Sequence, residues 1–77
     1  MIELKRTQRI PLYKTIWCKI RYWQSLQDVP DSQLAQQLQL TERTMRDYDK
    51  SARNLTLEKV DIFLQANHME LHDLLTM

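Results

Sequence analysis

The chain contains no glycine. Hairpin turns lean on residues that accept positive φ, so a turn-rich all-β architecture is disfavoured and an all-helical one favoured. A phosphate-cradling glycine loop is excluded on the same ground. Proline is sparse, limited to Pro11 and Pro30, and the single cysteine, Cys18, has no partner for an internal disulfide. No sequence neighbour marks Cys18 as a nucleophile. Long apolar runs are absent too, and the longest falls far short of a membrane span. The N-terminus lacks the apolar stretch and small-residue cleavage pattern of a secretory signal, so a reducing cytoplasm is the expected setting.

What is present fits one small domain. A length of 77 residues lies near the lower size at which a single core holds a fold without staples, and 43% hydrophobic with 27% charged residues is ordinary for a water-exposed protein. The net charge of +1 conceals an asymmetry. Residues 1–53 carry ten Lys/Arg against six Asp/Glu, whereas residues 54–77 carry one against four. A basic half suggests a polyanionic partner, with an acidic half limiting nonspecific adhesion; an unevenly charged solvated surface is the plainer alternative.

Residues 1–11 form a basic arm through Lys5, Arg6 and Arg9, and the alternation in "MIELK" admits a short edge strand. Pro11 suits the first turn of a helix. Leu12, Tyr13, Ile16, Trp17, Ile20 and Trp23 then share one face at helical spacing, leaving Lys14, Cys18, Arg21 and Tyr22 towards solvent. That apolar stripe reads as core, not as a cofactor box, and the helix ends near Gln27. Pro30 disfavours helical geometry at Val29 and, with Asp31 and Ser32, opens a second helix whose inner face is Leu34, Ala35 and Leu38. Leu40 is a lone apolar residue suited to plug the gap before the next helix. Thr41 caps that third helix, residues 42–49, and Met45 and Tyr48 point inward from it. After the exit loop "KSARNLT", Thr56 caps a fourth helix with Leu57, Val60, Phe63 and Leu64 buried, and "ELHDLL" packs Leu71 and Leu74 back onto the core.

Ala35, Leu40, Thr41, Met45, Tyr48 and Asp49, followed by Arg53, Thr56, Leu57 and "ELHDLL", resemble the lambda-repressor/Cro (Xre-type) helix-turn-helix family over roughly residues 16–75. The resemblance implies a compact four-to-five-helix bundle over residues 12–77 and a double-stranded DNA partner. In this geometry the second helix of the pair lies in the major groove and the first crosses the backbone. The family pattern puts Glu42, Arg43, Arg46 and Asp47 at the groove. Arg43 and Arg46 share a patch, and each guanidinium can donate two bonds to guanine O6 and N7; Glu42 either accepts from cytosine N4 or complements the helix dipole. An exposed face with an Arg43 to Asp47 pair is the bland alternative. Thr41, Thr44, Lys50 and Arg53 are candidates for phosphate contact. Lys5, Arg6 and Arg9 either follow the backbone or enter a minor groove, unless the arm is only a solubilising tail.

The sequence departs from the family pattern in several places. Gln39 and Ser51 stand where glycine is common, and Asn67-His68 replaces a common Leu-Gly. The turns therefore either avoid positive φ or carry modest strain. Gln24 and Asp49 occupy the positions of a buried arginine to glutamate pair, so a neutral hydrogen bond is expected there. Asp31 replaces a glutamine that contacts phosphate.

One short helix rarely binds DNA tightly, and the family commonly pairs two recognition helices one turn apart, so a homodimer on DNA is expected. Leu55, Ile62, Met69, Leu75 and Met77 are its candidate interface, with scattered surface hydrophobes the alternative. His68 and His72 are four apart but have no further ligand placed with them, so neither a metal nor a cofactor is expected, nor an enzyme. The function implied is a sequence-specific transcriptional regulator, a Cro-type repressor that occludes its operator. The alternative is a protein-interaction module, such as an antitoxin or adaptor, that reuses the same fold.

Overall fold

The computed structural model describes residues 9–77. The strand expectation for "MIELK" and the contacts assigned to Lys5 and Arg6 lie outside the described residues. Five helices follow one another: α1 (Leu12–Leu26), α2 (Asp31–Leu38), α3 (Glu42–Lys50), α4 (Leu57–Ala66) and α5 (Leu71–Leu75), with no strand among the described residues. The all-helical bundle is thus as expected. Local chemistry accounts for the starts. Thr41 and Thr56 hold N-cap positions in extended geometry, and their hydroxyls accept from the N–H of Thr44 at 3.0 Å and of Lys59 at 3.2 Å. Glu70 opens α5, where its own N–H donates to the Asp73 carboxylate at 3.1 Å as half of a capping box.

Three helix ends share one construction. Asp28, Gln39 and His68 adopt φ of 54°, 59° and 55°, in the left-handed region that glycine would enter without strain. In each case the next residue donates its N–H back over the last turn: Val29 to Gln24 O at 3.1 Å, Leu40 to Ala35 O at 2.9 Å, and Met69 to Leu64 O at 2.9 Å. These are Schellman motifs, and Val29, Leu40 and Met69 supply the accompanying apolar contact by packing against the core. Gln39 and His68 therefore carry the strain that their positions suggested. Ser51 does not; its φ of −158° is extended backbone.

The core joins Ile16, Trp17 and Ile20 of α1, Leu34, Ala35 and Leu38 of α2, Met45 of α3, Val60, Phe63 and Leu64 of α4, and Leu74 of α5. Ala52, from the exit loop, is buried with them. Trp23 stands edge-on to Phe63 at 5.0 Å between centroids, and Trp17 edge-on to Tyr48 at 5.2 Å.

Four assignments to the interior are corrected: Leu12 (58% exposed), Leu57 (78%), Leu71 (41%) and Tyr13 (37%) lie at the surface. Leu12, Leu57 and Leu71 are each the first residue of their helix. Helical side chains lean towards the N-terminus, so an apolar residue at the first position projects past the end of its helix, even when it keeps the periodicity of the buried stripe.

Candidate nucleic-acid interface

Three residues, Gln39, Leu40 and Thr41, separate α2 from α3. The left-handed turn at Gln39 redirects the chain, Leu40 packs beneath it, and Thr41 restarts the helix. Met45, with no exposed surface, and half-buried Tyr48 fix the inner side of α3. Along its other side Glu42, Arg43, Arg46 and Asp47 are exposed. No ion pair among the described residues involves any of these four, so the Arg43 to Asp47 pair of the alternative reading is not formed.

A polar clamp holds α3 from beneath. Asp49 Oδ1 accepts from Trp17 Nε1 at 2.8 Å and from Arg21 Nε at 3.0 Å, while Oδ2 accepts from Arg21 Nη2 at 2.8 Å. This is a two-pronged guanidinium to carboxylate pair, which fixes direction as well as distance. The other prong of Arg21, Nη1, donates to Asp31 Oδ1 at 2.9 Å and Gln24 Oε1 at 2.6 Å. Gln24 Nε2 in turn donates to Asp31 Oδ1 at 2.7 Å and to Val29 O at 3.0 Å. One guanidinium, lying 5.5 Å from the Trp17 ring centroid, thereby ties α1 to both α2 and α3.

The charges respond to this arrangement. The hydrogen bond to Asp49 raises the Arg21 pKa still further above its ordinary value, with Asp31 adding to it. Arg21 holds the Asp49 carboxyl below the usual carboxylate range, helped by the Trp17 N–H and opposed by burial. For Asp31 the Gln24 amide is the first cause of a lowered pKa and Arg21 the second.

The clamp overturns two expectations. Arg21 is not directed to solvent, its side chain being 22% exposed, and Asp49 is joined by an ion pair from Arg21, not by a neutral bond from Gln24. Spacing could have shown this, since Trp17, Arg21 and Gln24 fall four and three apart along one helical edge. Asp31 is engaged within the protein by the same network.

Among the phosphate candidates, Arg9, Thr41, Lys50 and Arg53 are exposed and Thr44 is half-buried. The Thr41 hydroxyl is already engaged with the Thr44 N–H and lies 2.9 Å from the Thr44 hydroxyl. Lys50 shares a cleft with Lys14 between the start of α1 and the end of α3, which adds a cation not singled out from the sequence. Of the candidate dimer residues, Leu55, Met69, Leu75 and Met77 are half-buried against the chain's own core, and Ile62 is half-buried on α4. His68 and His72 are exposed, and no group of three or more potential metal ligands occurs among the described residues. No helix among them is long and apolar enough to cross a membrane. The chain matches no family model, no curated protein and no solved structure in comparisons with known proteins.

Proposed function

We propose that this chain is a sequence-specific DNA-binding transcriptional regulator of the lambda-repressor/Cro (Xre-type) helix-turn-helix kind, with α3 as its recognition helix. The observation that carries the reading is the two-sided character of α3. Met45, Tyr48 and Asp49 seat one side in the bundle, while Arg43 and Arg46 stand exposed with no ion-pair partner among the described residues. Guanidinium forks held on a rigid helix suit the O6 and N7 acceptors of guanine in the major groove. Glu42 and Asp47 beside them weaken phosphate attraction generally, which favours discrimination between sequences over nonspecific adhesion. Lys50, Lys14 and Arg53 supply phosphate contacts on the flank, and two copies bind a pseudo-palindromic operator, excluding polymerase by occupancy.

Selection of bound duplexes from a random pool, followed by mobility shifts of the recovered sequence across a salt series, tests the reading. Replacing both Arg43 and Arg46 by Ala removes two base contacts of about 1–3 kcal/mol each, so affinity falls by roughly a hundredfold or more while the far-ultraviolet spectrum stays unchanged. Recovery of no common sequence, or unchanged affinity in the double variant, rejects it. A second reading, a protein-interaction module, draws on the exposed apolar residues Leu12, Leu57 and Leu71, and co-purification of a partner without DNA retention at low salt would favour it.

A further inference from the structure

The three leucines that open α1, α4 and α5 line one groove of about 660 Å³, and Leu12 and Leu57 continue into a smaller adjoining hollow of about 140 Å³. Neither hollow takes a lining residue from α2 or α3, so the groove is separate from the candidate DNA face. Exposed Glu58, Asp61 and Glu70 also line it, three carboxylates and no cation. Local duties account for two of them: Glu58 lies in the first turn of α4, and Glu70 belongs to the capping box of α5. Asp61, in the second turn of α4, caps nothing and accepts only from the Gln65 amide, at 3.2 Å. No ion pair among the described residues engages any of the three.

An apolar floor inside an acidic border calls for an occupant with apolar side chains next to positive charge. A second copy of the chain meets this demand poorly, because face-to-face pairing would set one acidic rim against another. Nucleic acid and anionic lipid are repelled by the same rim. The groove does not enclose a small ligand either, since its three leucines keep 58%, 78% and 41% of their surface exposed. An amphipathic helix fits, because apolar side chains three and four positions apart share one face and lysines or arginines can border it.

We propose that this groove docks a basic amphipathic helix of another protein, its apolar side chains on Leu12, Leu57 and Leu71 and its cations at Glu58, Asp61 and Glu70. The partner surface belongs to α1, α4 and α5, so α3 need not leave DNA for the partner to bind. Docking itself does not rest on the DNA-binding reading.

Three synthetic peptides test it by titration into isotope-labelled full-length chain. One has leucines at helical spacing with lysines elsewhere, the second carries glutamates for the lysines, and the third serines for the leucines. The expected result is that the first shifts the amide signals of Leu57, Glu58, Asp61 and Leu71 and leaves Arg43 and Arg46 unmoved, with the other two weaker by roughly tenfold or more. The double variant Glu58→Lys, Asp61→Lys should weaken the lysine peptide by a similar factor and strengthen the glutamate peptide, a reversal that loss of packing alone would not produce. Should that variant fail to fold, the three-peptide comparison on the parent chain decides. Equal affinities for the three peptides, shifts centred outside the groove, or no shift with the lysine peptide at about 1 mM overturn the proposal. Self-association of the peptide-free chain that moves the same amides overturns it in favour of a second copy. All of these readouts are made without DNA, so they stand or fall separately from α3 and its operator.

Discussion

Gln39 turns the chain between α2 and α3 with φ of 59°, a conformation that costs an ordinary L-residue roughly 1–2 kcal/mol. Glycine removes the steric part of that cost but adds entropy to the unfolded chain, so the expected gain for Gln39→Gly is about 0.5–1 kcal/mol. Thermal unfolding should register it as a rise of a few degrees for a domain this small. A fall in midpoint would mean that the Gln39 side chain contributes packing beyond its backbone geometry. Asp28 and His68 occupy the same kind of position, yet they differ in legibility. His68 and Gln39 were visible as substitutions for a familiar glycine, whereas Asp28 had no such marker, and its left-handed geometry emerges only from the way Val29 folds back onto Gln24.

At the scale of the element, α3 owes its orientation to a carboxylate as much as to its apolar side. Asp49 has a lowered pKa in the folded chain, so its contribution to stability is complete above its unfolded value, near pH 4, and disappears as pH falls through the lower folded value. Its side chain is 43% exposed, so solvent screening limits the pair, and Asp49→Asn is expected to cost about 1 kcal/mol at neutral pH. The distinguishing measurement is the acid limb. The variant should lose less additional stability than the parent between about pH 4 and pH 2, where the lowered carboxyl of Asp31 still contributes to both. Equal acid slopes would show that the ion pair adds nothing to the fold.

Element boundaries were largely legible because Thr41, Thr56 and the apolar stripes act locally, through capping and a 3.6-residue period. The clamp was less so. Arg21 lies at the margin of the α1 stripe, where periodicity alone cannot separate a solvated cation from one that reaches Asp49 across 28 positions of chain. Leu12, Leu57 and Leu71 misled for a related reason: they satisfy the period but sit where the helix ends, and only tertiary packing decides whether anything covers them.

Across the whole molecule, charge divides by position in the chain more than by amount. The acidic residues Glu58, Asp61 and Glu70 gather at the groove, while Lys14 and Lys50 share a cleft beside the end of α3. If those two lysines meet phosphates, replacing both with Ala should weaken binding to all duplex sequences alike. The dependence of log affinity on log salt should then become shallower by about 0.9 for each phosphate no longer neutralised. Mobility shifts with specific and scrambled duplexes check this, and a weakening confined to the specific sequence would assign the lysines to base recognition instead.

The two tryptophans divide the bundle between them. Trp17 donates to Asp49 and stands against Tyr48, both on α3, whereas Trp23 stands against Phe63 of α4. A chain with Trp23→Phe would therefore keep a single tryptophan whose emission, excited beyond the absorption of the tyrosines, follows the seating of α3 against α1, an optical gauge of that helix within the intact bundle.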